Sequence, residues 1–403
     1  MRYKPRAEFS MSLLSRPLLI SLSTLLLAGA ACEPGEQVTT TPDAKPDAAE
    51  TGDESVSAPA GGPTEIAANT EPEPAPEPEP ATPADPYGPV SDEVRARFAA
   101  IESDPKPPEL TRNSHYWVSN ERSQFVWHEA LSKVGGVGGA YIGVGTDQNY
   151  MLAAWAKSDF IVLMDFDQAI VNLHQAYKVF FAAAATPEAF LELWSEDKEA
   201  EGQKLIEAAY PDAQEREPIA RAYKIARKLV YLRLKRLKRQ YPALDIPTFI
   251  SDQAQYDHIR KLWANGRVVA IRGDLTAAKT MQQIGYALQD SDMKLGVLYF
   301  SNAEQYFEYT PQVRRNILAQ PFADNSLVLR TLGWQSHGFI DGEEYHYNLQ
   351  SGTNFAGWMQ TSMVPKAGRL LRYKTATEVE GSSIIDQPPQ QSQRLPDIAP
   401  EQR

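Results

Sequence analysis

Gly143 and Gly145 flank a single valine where an apolar run, 140–144, meets a helix-forming stretch that begins near Gln148. A bend that sharp favours residues without a β-carbon, which accept positive φ and let backbone N–H groups approach a ligand. The helix that follows would aim the positive end of its dipole at the same space. Asp165 comes 20 residues after Gly145, beyond the next apolar run, 159–163. An acid at that strand end can accept hydrogen bonds from both ribose hydroxyls of a nucleoside. Asp167 serves instead if the strand register differs. The competing reading of the two glycines is a tight corner that holds no ligand.

The dinucleotide fingerprint calls for a third glycine, and Gln148 stands in its place. A pyrophosphate is therefore disfavoured, whereas S-adenosylmethionine has no phosphate to cradle. Two later strand ends add polar groups. Asp274 closes the run 267–274, and Ser301, Asn302, Glu304 and Tyr306 cluster at the end of 294–302. Ligands of open parallel sheets sit outside the carboxyl ends of the strands. Gly143, Gly145, Asp165 and Asp274 are thus candidate cofactor-binding residues. Ser301, Asn302, Glu304 and Tyr306 are candidate catalytic groups, and each also reads as an ordinary loop or capping residue.

Other chemistries lack their motifs. The six histidines, at 115, 128, 174, 258, 337 and 346, show no metal-ligand spacing, so no metal is expected. His174 reads as a core or surface histidine on a helix. Neither a Gly-x-Ser-x-Gly elbow nor a Gly-x-x-x-x-Gly-Lys-Ser/Thr loop occurs.

These residues need a scaffold, and the order of elements supplies one. Strand, helix and strand within 140–163 make a β-α-β unit, which implies a parallel sheet covered on both faces. The segment 187–264 reads as helices only. Its clearest helix, 216–239, carries Ile219, Tyr223, Ala226, Val230, Leu234 and Leu237 at helical spacing, and its other face is basic, with Arg221, Lys224, Arg227, Lys228, Lys235, Arg236, Lys238 and Arg239. That basic face suits either solvent or an anionic surface; nucleic acid is not expected as a partner. Strands at 267–274, 294–302 and 325–332 alternate with helices at 276–290 and 308–320, and 343–350 suits an edge strand. A helix at 91–101 and another within 115–131 precede the unit. The expected fold is a three-layer α/β/α, Rossmann-like, mostly parallel sheet with a helical insertion at about 187–264.

The termini read differently. An apolar run, 17–31, follows several basic residues and ends at Gly29-Ala30-Ala31-Cys32, with the chain's one cysteine. The run is too short to span a bilayer comfortably and resembles a secretory signal. Residues 1–32 are expected to be a signal peptide with a lipobox-like end, lipidated at Cys32; plain cleavage at the alanines is the alternative. A single cysteine leaves no disulfide framework. Residues 33–90 hold thirteen Asp and Glu and one Lys, a net of −12 that equals the formal charge of the whole chain. Such a Pro-rich acidic segment cannot bury a core and reads as a linker spanning about 40 Å as a coil. The folded domain is expected at 91–375 and a disordered tail at 376–403.

Several blocks carry a resemblance: "SNERS" (119–123), the run 138–181, "RGDLTAAKTMQQIGYAL" (272–288), "LYFSNAEQYF" (298–307) and "NSLVLRT" (325–331). In order and spacing they resemble an uncharacterised bacterial family that includes leptospiral lipoproteins. That family is similar in fold to class I S-adenosylmethionine-dependent methyltransferases. The resemblance covers 110–335 and implies a seven-stranded methyltransferase-like sheet. It would place Gly143 and Gly145 along the methionine moiety, Asp165 on the ribose, Asp274 near the adenine, and Ser301 and Asn302 toward a substrate. The Asn/Asp-Pro-Pro-aromatic motif of methyltransferases is absent. The family's Asp-Ile-Arg-Arg reads Asp165-Phe166-Asp167-Gln168 here. The implied protein is an envelope lipoprotein, anchored to a bacterial membrane, that binds S-adenosylmethionine or a related nucleoside and acts as a methyltransferase. Because that cofactor is made inside cells, a non-catalytic binding lipoprotein on the same scaffold is the alternative.

Overall fold

The computed structural model describes residues 85–110, 114–133 and 135–390, with Arg394, Leu395 and Ile398. The expected signal segment, Cys32 and linker residues 33–84 lie outside them. Helix α1 (Asp92–Ala99) opens on Ser91, whose hydroxyl accepts the Val94 N–H. A short 3-10 turn leads into the single-turn α2 (His128–Leu131). Next come β1 (Ala140–Val144), α3 (Gln148–Ala156), β2 (Phe160–Asp165) and α4 (Gln168–Ala183), the expected β-α-β unit and its following helix. The insertion is four helices, α5 (Pro187–Glu192), α6 (Glu199–Ala209), α7 (Ala213–Gln240) and α8 (Gln253–Ala264). Alternation resumes with β3 (Val268–Arg272), α9 (Thr280–Asp290), β4 (Leu295–Tyr299), α10 (Pro311–Leu318) and β5 (Phe322–Leu332). The last elements are β6 (His346–Ser351), α11 (Gly352–Met359), α12 (Ala367–Leu370), β7 (Thr375–Ala376) and β8 (Ser382–Ile385).

The strands form one sheet in the order β3-β2-β1-β4-β5-β6-β8-β7. The first five are parallel. The chain runs outward from β1 to β3, then restarts with β4 on the other flank of β1. That reversal puts a topological switch point between β1 and β4, directly above the glycine turn.

Alternating side chains explain the layers. Tyr141, Ile161, Leu163, Val297 and Tyr299 join a core with α3, α4 and the insertion helices. Ile142, Val144, Val162, Met164 and Leu298 join a second core with α1, α9, α10 and α11 on the opposite face. With both faces covered, the sheet is the middle of a three-layer α/β/α, Rossmann-like fold. The α7 stripe from Ile219 to Leu237 is buried as its spacing predicts.

The structure differs from the sequence reading at three places. The sheet has eight strands among the described residues, not seven. Part of the expected disordered tail is β8, which pairs with β6 in parallel and anchors its Ser383 hydroxyl to His346 and Asn348. The helix expected from 276 begins at Thr280, because Asp274 accepts both the N–H and the hydroxyl of Thr276 in a local turn. The turn expected ahead of the helix in 115–131 is the segment 115–123. It crosses the carboxyl edge of the sheet and sends Glu121 into the interior.

Candidate functional site

Gly145 has φ +89°, a conformation that a side chain resists. Its N–H donates to Asp165 Oδ2 at 3.1 Å, and its carbonyl lies 2.9 Å from His174 Nε2. Burial pushes the His174 imidazole down to about 4, so the ring is neutral near pH 7. Nε2–H therefore donates to Gly145, while the Tyr150 hydroxyl donates to Nδ1 at 2.8 Å. The next amide, Thr146 N–H, donates to Gln148 Oε1 at 3.2 Å. Both turn amides are thus satisfied inside the protein, and Gln148 performs one of those bonds.

Gly143 does not reach the space above the turn. A β-carbon there would collide with Asn149 and the Tyr141 ring. Its role is to admit a brace: Tyr141 donates to Asn149 Oδ1 at 2.8 Å, and Asn149 Nδ2 holds the carbonyls of Val144 and Thr146.

Above the turn lies a cavity of about 350 Å³, within the range of small-molecule sites. Gly145, Asp165, Asp274, Ser301, Asn302 and Tyr306 all line it. Three of its described lining residues are acids, Asp165, Asp167 and Asp274, and among the described residues none that lines it is Lys, Arg or His. Val144, Phe166, Ile170, Leu275 and Phe307 give it apolar walls. Asp165 also accepts the Asp167 N–H at 2.9 Å. Burial pushes its carboxyl up to about 7, with the Asp167 carboxylate adding to the rise and the Asp167, Gly145 and Phe166 amides opposing it. Asp167 caps α4 and pairs with His115 Nδ1 at 2.6 Å.

The remaining candidates divide. Asp274 is held at the opening of its loop by a 3.0 Å bond from its own N–H to Asp104. Ser301 lies at φ +52°, an unusual place for serine, at the end of β4. Its hydroxyl donates to Glu121 Oε1 at 2.8 Å. Asn302 donates to the Tyr345 hydroxyl at 3.0 Å, and Tyr306 stands exposed at the rim. Glu304 is not a site residue. It is fully buried, paired with Arg330, and accepts the Tyr309 hydroxyl at 2.7 Å. Arg330 in turn holds Asn348 and Gln350 at 2.7 and 2.8 Å, so the acid ties β5 to β6.

A family model, described as a domain of unknown function (DUF7790), matches residues 116–386, more than half of the chain. The chain belongs to this family. No curated protein matches it. The match begins within the edge-crossing segment and runs through β8, so the DUF7790 unit includes the glycine turn, most of the cavity lining and the closing strand; Pro107 and Ser114 of the lining precede it.

Two groups of the DUF7790 site carried no sequence signal. Glu121 is fully buried beneath Ser301 and also accepts the hydroxyls of Tyr299 and Thr331. Burial pushes its carboxyl up, against those hydrogen bonds. Arg233 of α7 reaches from the insertion to Asp147 beside the glycine turn, with Nε 2.9 Å from Oδ2, and donates to the Glu121 carbonyl. Glu121 lies in the "SNERS" block, which gave it neither role nor partner. Arg233 was hidden in a row of basic residues. Among the described residues, no group of three or more His, Cys, Asp and Glu is placed to hold a metal ion.

Proposed function

We propose that this DUF7790 protein binds S-adenosylmethionine, or a related cationic nucleoside, in the cavity over the glycine turn. The observation that carries the reading is the charge of the lining: three aspartates and, among the described residues, no cation. A sulfonium and an ammonium fit such walls, and a dinucleotide pyrophosphate does not. The engagement of the Gly145 and Thr146 amides with Asp165 and Gln148 points the same way, because those are the donors a pyrophosphate would need. In this reading Asp165 and Asp167 take the ribose hydroxyls. The apolar wall near Asp274 and Leu275 takes the base, and Ser301 and Asn302 face a methyl acceptor.

Thermal unfolding of the purified chain provides the test. S-adenosylmethionine at a hundredfold its dissociation constant should add about 2.7 kcal/mol of stability. That corresponds to a midpoint shift of about 4 °C for a domain of this size. NAD at the same concentration should give no shift; an equal shift with NAD, or none with either, overturns the proposal.

The export reading belongs to the same proposal: the chain is carried to the cell envelope and anchored in a bacterial membrane through a lipid on Cys32. Metabolic labelling with a radioactive fatty acid should mark the wild-type chain and leave Cys32→Ser unlabelled. Equal labelling of both refutes the anchor.

A further inference from the structure

The outward face of α7 has no use in the cavity or the core. Ile225, Leu229 and Leu232 are 50, 47 and 53 % exposed, at i, i+4 and i+7 spacing along one line of the helix. Arg221, Lys224, Lys228, Lys235 and Arg239 are exposed along the neighbouring line. None of these five pairs with a carboxylate among the described residues, whereas Arg227 and Lys238 of the same helix pair with Glu199 and Glu188. The exposed face is cationic and aliphatic together. Single exposed leucines need no explanation, but three in register beside a cation row do.

We propose that this face of α7 docks on an anionic bilayer surface, the cations meeting headgroup phosphates and the three aliphatic side chains entering the headgroup–acyl boundary. The chain's own acidic segment, 33–84, matches the charge but not the apolar line. Its large aliphatic residues are Val38, Val56 and Ile66, and the Glu-Pro run 71–80 has none. A nucleic acid would likewise meet the cations and leave the leucines in water. A bilayer satisfies both halves of the pattern.

The experiment uses the full chain with Cys32→Ser, so that no acyl chain contributes, and vesicles of equal phosphatidylglycerol and phosphatidylcholine against phosphatidylcholine alone. Co-sedimentation should show at least tenfold tighter binding to the anionic vesicles, weakening as salt screens the cations. Lys224→Glu with Lys228→Glu should remove that preference. Leu229→Ser with Leu232→Ser should weaken binding at least threefold while the salt dependence persists. All four positions are exposed, and an unchanged unfolding midpoint confirms that the variants fold. Equal binding to both vesicle types overturns the proposal, as does retention of binding in both variants. So does the appearance of vesicle binding only after deletion of 33–84, which would make that segment the occupant.

Discussion

Arg233→Met should lower the unfolding free energy by about 3–5 kcal/mol, because it strands a buried carboxylate. Arg233 and Asp147 are both almost fully buried, with the guanidinium 2.9 Å from Oδ2. Asp147 keeps only the Ser119 N–H at 3.2 Å and the Thr146 hydroxyl at 3.3 Å when the cation is gone. The midpoint of thermal unfolding should fall by about 5–8 °C. Arg233→Lys should recover part of the loss, since an ammonium restores the charge but not the second bond to the Glu121 carbonyl. The double variant Arg233→Met, Asp147→Asn should be more stable than Arg233→Met alone, because no charge is left unpaired. A midpoint within 2 °C of wild type for Arg233→Met would show that this pair does not fasten the insertion to the glycine turn. The link runs from insertion to site: one side chain of α7 fixes both the turn after β1 and the segment carrying Glu121.

Local patterning made the scaffold legible. The runs 140–144 and 159–163 are short, apolar and bounded by turn residues, and both are strands. The insertion is helical because 187–264 holds no strand-like run, and α7 buries the stripe its spacing defines. The cavity followed from one rule: ligands sit where strand order reverses. What stayed hidden depends on contacts distant in sequence. Ser382 to Ile385 gains its strand character from β6, not from its own pattern. Glu304 looked like a cleft acid in "SNAEQY", yet Arg330, 26 residues on, draws it into the interior. Gly143 had the right spacing for a cofactor turn, but spacing does not show that the Tyr141 ring and Asn149 fill the space beside it. Gln148 is the instructive exception. Its presence was legible as a missing glycine, and the structure shows what it supplies instead, an acceptor for the Thr146 amide.

Asp165→Asn should weaken S-adenosylmethionine binding by about 10- to 150-fold, the loss expected when a charged hydrogen-bond acceptor of 1.5–3 kcal/mol is removed. It should also erase a pH dependence. In the ligand-free protein, burial raises the Asp165 carboxyl from 3.8 to about 7. An acid with a raised value favours folding in its protonated form, so its contribution to stability declines as pH rises from about 4 through 7. The ligand has the opposite preference, because a cation and two hydroxyl donors need the ionised carboxylate. Wild-type affinity should therefore rise between pH 6 and 8 and level off above, as measured by titration calorimetry, while Asp165→Asn stays flat. The difference between wild-type and variant unfolding curves isolates the same ionisation from His174 and His346, both of which burial pushes down to about 4. Those imidazoles lose their contribution as pH falls from 6.5 toward 4, below the window in which affinity changes. Asp167→Asn is the decisive companion. Asp167 lines the same cavity, but one of its oxygens caps α4 and the other faces His115. If the loss of affinity and of the pH step follows Asp167 instead, the ribose lies one turn further along the strand end. If neither variant changes affinity, the nucleoside does not sit between β1 and β2.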